Sequence, residues 1–131
     1  MEKEFVTYEQ ALALKELGFD EKTIGFYNST YCIEEILFGE FTEFINRNND
    51  FELVSAPFKQ QVFRWFREEY NILHALVVPI KITASDKEGY RYSWEIIDEQ
   101  EEWIVDESLL GYYTYEEAEN ACIDKLIEIA K

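Results

Sequence analysis

Near the start of the chain, apolar residues recur at the three- and four-residue spacing of an amphipathic helix: Ala11, Leu12, Leu14 and Leu17. Thr7 precedes them. Its hydroxyl can accept from the amide of Gln10 while the Gln10 side chain reaches back, which is a capping box. Gly18 follows, and glycine readily adopts the left-handed conformation that ends many helices. The pattern predicts a helix over residues 8–17.

Two further stretches have the same helical periodicity. In the middle of the chain, Ser55 is in position to cap a helix, and Pro57 occupies an early position where its missing N–H costs little. The apolar residues of this stretch are Phe58, Val62, Trp65, Phe66 and Tyr70, and the basic residues on its opposite side are Lys59, Arg64 and Arg67. Near the end of the chain, Thr114 and Glu117 form a second capping box ahead of an apolar stripe. The sequence therefore predicts three helices.

Between the helices, apolar and polar residues alternate with the period of two that is typical of a strand with one buried face. Residues 23–37 predict a hairpin, and residues 76–83 predict a strand. Pro79 places that strand at a sheet edge or at a bulge, because proline has no N–H to donate to a ladder. Residues 90–96 predict the next strand, and residues 103–105 predict its return. The predicted fold class is α+β, with three helices packed on a small antiparallel sheet of hairpins.

The length and composition of the chain favour one domain. Of its 131 residues, 47% are hydrophobic and 17% are aromatic, which is enough for a well-packed core. No stretch rich in Ser, Gly or Pro interrupts the chain as a linker would. We therefore expect a single α+β domain over residues 1–131. Residues 38–54 mix aromatic residues with a polar run and predict a loop or a short helical turn.

The chain is strongly acidic, with 28 Asp and Glu against 12 Lys and Arg and a formal net charge of -16. Such a field repels the phosphates of nucleic acids and anionic lipid surfaces, and it attracts basic proteins. We therefore expect a basic protein partner, such as a nucleic-acid enzyme, and no direct binding to nucleic acid or to a membrane. A second interpretation stays open, in which the acidity only keeps the chain soluble and monomeric.

Histidine and cysteine, which ordinary zinc sites and nucleophilic triads require, are scarce in this chain. One histidine, His74, and two cysteines, Cys32 and Cys122, cannot assemble a zinc site of ordinary composition. The sequence contains no glycine-rich phosphate loop and no calcium loop. We therefore expect a protein that is not an enzyme and that has no cofactor and no metal. The sequence also has no apolar signal segment at its start and no apolar run of about 18 residues, which predicts a cytoplasmic location.

The densest acidic stretch lies around the predicted hairpin near Trp103. Its candidate partner-binding residues are Asp98, Glu99, Glu101, Glu102, Trp103, Asp106 and Glu107. Two interpretations compete. In the structural one, the carboxylates protect a strand edge against association with another strand. In the functional one, they offer a phosphate-like surface to the Arg and Lys residues of a nucleic-acid-binding protein, with the aromatic residue as an anchor.

Three segments carry a family resemblance. The sequence APFKQQVFRWFRE, residues 56–68, resembles a family of small uncharacterised proteins from Bacteroidetes and their phages. The segments FVTYEQALALKELGFDE and YEEAENACIDKLIEIAK, at the two ends of the chain, are similar to those that bracket members of that family. The resemblance implies a phage or prophage setting within a host cell. It brings no catalytic or binding residues with it.

Three functions follow from these observations as hypotheses. The first is an acidic protein, monomeric or homodimeric, that binds a basic nucleic-acid-binding protein of the host stoichiometrically. It would act as an anti-CRISPR-like or other host-defence inhibitor, by nucleic-acid mimicry. The alternative is a structural or assembly accessory that self-associates through aromatic strands. The third is a carboxylate-based hydrolase, because carboxylates are the one catalytic residue type present in surplus.

Overall fold

A computed structural model describes residues 2–30, 32–39, 44–82, 89–106 and 111–131. In chain order these form a short 3-10 helix, Glu2–Glu4, followed by α1 (Tyr8–Glu16), β1 (Gly25–Asn28), β2 (Cys32–Phe38), β3 (Leu53–Ala56), α2 (Lys59–Glu69), β4 (Ile72–Ile82), β5 (Gly89–Asp98), β6 (Trp103–Val105) and α3 (Tyr115–Ala130). The α+β prediction is confirmed. The strands are divided between two three-stranded antiparallel sheets, with the orders β2-β1-β3 and β4-β5-β6.

The chain divides into two compact units, which we describe one at a time. The first contains Met1–Val62 and Ile127–Lys131, and the second contains Phe63–Leu126. The first sheet belongs to the first unit and the second sheet to the second. That the whole chain is one domain stays a prediction.

In the first unit, α1 begins and ends as its sequence predicts. The backbone N–H of Gln10 donates to Oγ1 of Thr7 at 3.2 Å, and the backbone N–H of Thr7 donates to Oε1 of Gln10 at 3.0 Å. Both bonds of the capping box are therefore present. At the other end, Gly18 has a φ of +92°, the left-handed conformation that glycine adopts readily. Of the apolar residues of this stretch, Ala11 and Leu14 are fully buried, while Leu12 remains 37% exposed.

The sheet of the first unit has β1 at its centre, paired antiparallel with β2 and with β3. The predicted hairpin is confirmed as β1 and β2, with an irregular register between Phe26 and Asn28. Residues 44–52 are irregular apart from a bridge between Thr23 and Ile45, in agreement with the predicted loop. Residues 40–43 of the predicted loop, 38–54, lie outside the described residues. Residues 53 and 54 of that loop belong to β3.

Ser55 does not cap α2, and this interpretation of the sequence was wrong. Ser55 lies buried in β3, where its Oγ accepts from the N–H of Arg47 at 2.8 Å and its own N–H donates to Oδ1 of Asn48 at 2.8 Å. Because Ser55 lies within β3 and both its N–H and its hydroxyl bond to residues 46–48, it is not free to cap a helix, and α2 begins only at Lys59.

The basic face predicted for α2 is also smaller than the sequence suggests. Lys59 is only 3% exposed, so it does not share a solvent-facing side with Arg64 and Arg67, which are both exposed. Periodicity assigns a residue to a side of the helix. It does not decide how much of that side is covered at the first turn.

In the second unit, β5 lies between β4 and β6. Pairing of β4 with β5 runs from Ile72 opposite Asp98 to Ile82 opposite Gly89. Pro79 lies opposite Tyr92, and Tyr92 exchanges backbone hydrogen bonds of 2.8 and 2.7 Å with Tyr112 on its other side. Opposed residues of an antiparallel pair alternate between bonded and non-bonded, so Pro79 needs no N–H towards β5. Of the two predicted places for Pro79, a sheet edge and a bulge, the described strands show the sheet edge.

The core of the second unit contains large apolar side chains from its sheet and helices. The buried residues are Phe63, Trp65, Phe66, Ile72, Trp94, Ile96, Ala118, Cys122, Ile123 and Leu126. Helix α3 begins at the predicted cap, where the N–H of Glu117 donates to Oγ1 of Thr114 at 3.1 Å. The Thr114 hydroxyl in turn donates to the Glu117 carboxylate at 3.0 Å. Within the described ranges, no helix combines the length and apolar character needed to cross a bilayer.

Candidate protein-binding surface

The turn between β5 and β6 is held by the carboxylate of Asp98. Oδ1 of Asp98 accepts from the N–H of Gln100 at 2.9 Å and from the N–H of Glu102 at 3.0 Å. The Asp98 carbonyl accepts from the N–H of Glu101 at 3.0 Å. This is the local side-chain-to-backbone bonding for which Asp is favoured in turns. Glu101 occupies the left-handed conformation that closes the turn, with a φ of +61°.

The predicted acidic residues therefore do not all have the same role. Asp98 is half-buried and organises the turn, while Asp106 accepts a hydrogen bond from Oγ of Ser93 at 3.2 Å. Glu99, Glu101 and Glu102 are exposed to solvent at the end of the hairpin. Glu107 lies outside the described residues. Three of the predicted carboxylates are thus available to a partner without breaking a contact that builds the hairpin.

Trp103 and Val105 add exposed apolar area on the strand that follows this turn. The Trp103 side chain is 62% exposed, and that of Val105 is 52% exposed. Trp103 lies opposite Ile97, and Val105 lies opposite Glu95. Opposed residues project from the same face of a sheet. Both side chains therefore lie on the face that carries Glu95 and Ile97, opposite to the buried face with Trp94 and Ile96.

We call Glu99, Glu101, Glu102, Trp103 and Val105 the hairpin surface. On the same sheet face, β4 contributes Leu76, which lies opposite Glu95 and is 37% exposed. Nε2 of His74 lies 2.9 Å from Oε1 of Glu95, so a polar pair crosses between β4 and β5 beside this apolar row. The face thus carries exposed apolar side chains, and exposed acidic residues occupy the turn at its end.

The opposite end of this face carries a cation. The guanidinium of Arg91 on β5 lies 4.1 Å from the ring centroid of Tyr113, in cation–π contact. Because a strand rises about 3.4 Å per residue, Arg91 is about 20 Å along β5 from Ile97, which lies opposite Trp103. The negative end of the face is therefore well separated from Arg91.

Cys122 does not offer reactive chemistry in its folded environment. The side chain is fully buried in α3. Burial, with a smaller contribution from the negative charge of Glu119, raises the pKa of the Cys122 thiol to about 12. Because the thiolate is the nucleophile, such a thiol is inert near neutral pH. Among the described residues, no group of three or more His, Cys, Asp and Glu side chains could hold a metal ion.

The sequence predicts every residue of the hairpin surface except Val105, and it does not predict that Leu76 and Glu95 lie on the same sheet face. The alternation along the chain predicts strands that contain Leu76, Glu95 and Val105, without a functional role for any of them. The alternation at residues 103–105 is the signal that places Trp103 and Val105 on one face. The register that brings Leu76 and Glu95 beside them is not readable from the sequence.

Comparison with known proteins identifies no relative: no protein-family model, no curated protein and no solved structure matches this chain. The resemblance to the small proteins of Bacteroidetes and their phages therefore stays a prediction.

Proposed function

We propose that this chain is a non-enzymatic binding protein that acts stoichiometrically on a basic, nucleic-acid-binding protein through the hairpin surface. The observation that carries the proposal is that the exposed Trp103 side chain directly follows the exposed residues Glu101 and Glu102 of the turn. An exposed tryptophan costs free energy in water and is enriched among residues that dominate binding energy at interfaces. Carboxylates around such an anchor complement Arg and Lys side chains.

The net charge of the chain supports the same kind of partner. At -16, its field accelerates encounter with a cationic surface and slows encounter with a phosphate backbone or an anionic membrane. The three exposed carboxylates stand on a hairpin whose turn is braced by Asp98. A rigid display of charge loses less conformational entropy on binding than a flexible one. These features favour mimicry of a nucleic-acid backbone.

The setting is part of the proposal. The resemblance to small proteins of Bacteroidetes and their phages supports a phage or prophage origin. In that setting, the cytoplasm of a bacterial host would contain the partner, and a host-defence nuclease such as a CRISPR effector has the required basic groove. Inhibition would then follow from competition with the guide or the substrate of that enzyme.

Self-association is the alternative that the exposed apolar residues Leu76, Trp103 and Val105 favour. It is less favoured because two copies meeting through this surface would bring their carboxylates together, and like charges across strands are destabilising. Light scattering during size-exclusion chromatography at high protein concentration distinguishes the two functions. A strict monomer supports the binding protein, and a dimer that the Trp103→Ala substitution dissociates supports self-association.

Affinity capture with two charge-matched variants tests the proposed function. In the first variant, Glu99, Glu101 and Glu102 are each replaced by Lys. In the second, the exposed residues Glu16, Glu68 and Glu69 are replaced by Lys. The control positions lie near helix C-termini, where a cation is favourable. Both variants have the same net charge, so only the location of the charge differs.

We expect the wild-type chain and the control variant to capture a basic nucleic-acid-binding protein from a Bacteroidetes lysate at low salt. The hairpin variant should lose it. Added salt should weaken the capture, because exposed charges are screened beyond about 10 Å at 0.1 M ionic strength. Recovery of only neutral or acidic partners would contradict the proposal. Equal loss in both variants would mean that net charge, and not the hairpin surface, determines binding.

A further inference from the structure

The backbone of β6 has a defined side that faces away from the sheet. The N–H of Asp106 donates to the carbonyl of Trp94, and the N–H of Asp98 donates to the carbonyl of Glu102, both at 3.3 Å. Between these two bonds, Ile104 lies opposite Ile96. Because bonded and non-bonded pairs alternate in an antiparallel ladder, Ile104 directs its backbone groups towards β5. Trp103 and Val105 therefore direct their N–H and C=O groups outwards.

This outer edge is open in the part of the chain that the structure describes. Strand β6 is an edge of its sheet, and no described residue forms a hydrogen bond with the backbone of Trp103 or Val105 on that side. Both side chains are more than half exposed. An edge strand with unpaired N–H and C=O groups is a template for a further strand. Exposed apolar side chains at alternate positions can contact those of the added strand.

We propose that an extended segment of the basic partner pairs with the outer edge of β6 and extends the sheet by one strand. This inference rests on the proposed function and specifies how the partner is recognised. Main-chain hydrogen bonds to Trp103 and Val105 provide part of the affinity. Lys or Arg side chains of the segment contact Glu101 and Glu102, which flank the edge. The segment alternates basic and apolar residues, since alternate side chains of a strand share a face.

A second copy of this chain is a poor occupant of the same edge. Pairing two β6 edges would bring together the carboxylates that flank each of them, those of Glu101, Glu102 and Asp106. Natural sheets use such edge charges to prevent association with their own copies. The same carboxylates attract a basic strand. They therefore both repel a second copy of this chain and favour a basic partner.

The other edge of this sheet is less suited to a basic strand. On β4, Pro79 occupies a non-bonded position opposite Tyr92, so its backbone nitrogen faces the outer edge and provides no N–H there. Lys81, at the next outward-facing position, is exposed and would repel a cationic segment. We therefore expect the basic strand to pair with β6 and not with β4.

Amide hydrogen exchange measured by NMR on the full chain tests the pairing directly. The probe is an acetylated and amidated peptide of alternating lysine and valine, with a glutamate and valine peptide as control. In the chain alone, the amide of Ile104 should exchange more slowly than those of Trp103 and Val105. At saturating lysine peptide, exchange at Trp103 and Val105 should slow by about tenfold or more, as expected when amides become hydrogen-bonded. The glutamate peptide should leave both unchanged.

The substitution Val105→Pro removes the outward N–H without removing a bond to β5. Val105→Ala is its control, because it removes most of the side chain and keeps the N–H. We expect the proline variant to bind the lysine peptide about fivefold to tenfold more weakly than the alanine variant, which corresponds to the loss of one backbone hydrogen bond. Circular dichroism checks that both variants fold. The exchange experiment on the wild-type chain does not depend on either variant.

The outcomes separate this inference from the proposed function. Salt-sensitive binding of the lysine peptide without slower exchange at Trp103 and Val105 would overturn strand addition and leave a side-chain interface intact. Equal affinities of Val105→Pro and Val105→Ala would also overturn it. If neither the lysine peptide nor any basic protein binds, both the inference and the proposed function fail.

Discussion

Oδ1 of Asp98 accepts a hydrogen bond from the backbone N–H of Glu102 at 3.0 Å, across the turn that joins β5 to β6. The same oxygen accepts from the N–H of Gln100, so one carboxylate orients the backbone of the whole turn. The neighbouring side chains of Glu99, Glu101 and Glu102 remain exposed. Within one acidic stretch, the structure therefore separates a residue that builds the turn from residues whose side chains face solvent.

Because Asp98 builds the turn, two substitutions at this position should differ in their effect on the free energy of unfolding. Asp98→Asn keeps an oxygen that can accept from both N–H groups, so its free energy of unfolding should stay within about 0.5 kcal/mol of the wild type. Asp98→Ala removes the acceptor and should cost about 1 to 2 kcal/mol. Urea unfolding followed by circular dichroism measures both values. Equal stability of the alanine variant and the wild type would show that the turn does not need this carboxylate.

Glu101 gives a prediction in which stability and binding change in opposite directions. Its φ of +61° is unfavourable for a residue with a side chain and natural for glycine. Glu101→Gly should therefore raise the free energy of unfolding by up to about 1 kcal/mol. The same substitution removes an exposed carboxylate from the hairpin surface and should weaken partner binding. Thermal unfolding together with the capture experiment checks both effects, and a more stable variant with unchanged binding would argue that this charge only aids solubility.

Gly111 is required by a close approach of two backbone segments. A Cβ at this position would lie 2.6 Å from the carbonyl oxygen of Tyr92, and the φ of Gly111 is +67°. Gly18 also has a positive φ, of +92°, but a Cβ there would meet nothing within 4 Å. Gly111→Ala should therefore destabilise the chain by about 2 to 4 kcal/mol, and Gly18→Ala by only about 1 kcal/mol. Chemical denaturation of the two variants separates the steric clash from the backbone strain.

The capping box of α1 provides a fourth stability prediction. Thr7→Ala removes the acceptor for the N–H of Gln10 and should cost about 1 kcal/mol. Thr7→Ser keeps the hydroxyl and should cost much less. Urea unfolding of both variants measures the contribution of this cap. Indistinguishable alanine and serine variants would show that packing alone determines where the helix begins.

Cys122 predicts a loss of stability at high pH. Its pKa of about 12 in the folded chain lies above the ordinary thiol value of 9.0, which we take for the unfolded chain. Between these values the unfolded chain loses the proton and the folded chain keeps it, so the contribution of Cys122 is fully present below pH 9.0 and is lost as the pH rises towards about 12. The slope approaches about 1.4 kcal/mol per pH unit.

The free energy of unfolding of the wild type, measured between pH 8 and about 11 and compared with that of Cys122→Ala, isolates this effect. The difference between the two chains should shrink as the pH rises, because other groups titrate alike in both. A thiol reagent at neutral pH should modify Cys122 only after unfolding. Rapid modification of the folded chain would contradict the buried state of this thiol.

Much of the fold is readable from the sequence because its signals are local. The Thr7 and Thr114 caps involve residues three positions apart, so the chain does not need the rest of the fold to use them. The alternation along residues 90–96 predicts a strand for the same reason. The failed prediction at Ser55 shows the limit. Its cap signal is local, but the competing bonds to Arg47 and Asn48 come from another part of the chain.

By itself, the sequence determined the α+β class, the starts of α1 and α3, a place for Pro79 at a sheet edge or a bulge, and the stretch around Trp103 where acidic residues concentrate. Only the tertiary structure decided that the strands form two sheets and that Lys59 is buried. It also decided which carboxylates brace the turn and which way the backbone of β6 faces. The physical reason is that strand register and burial depend on contacts between residues distant in sequence, and a one-residue change of register moves every side chain of a strand to the other face.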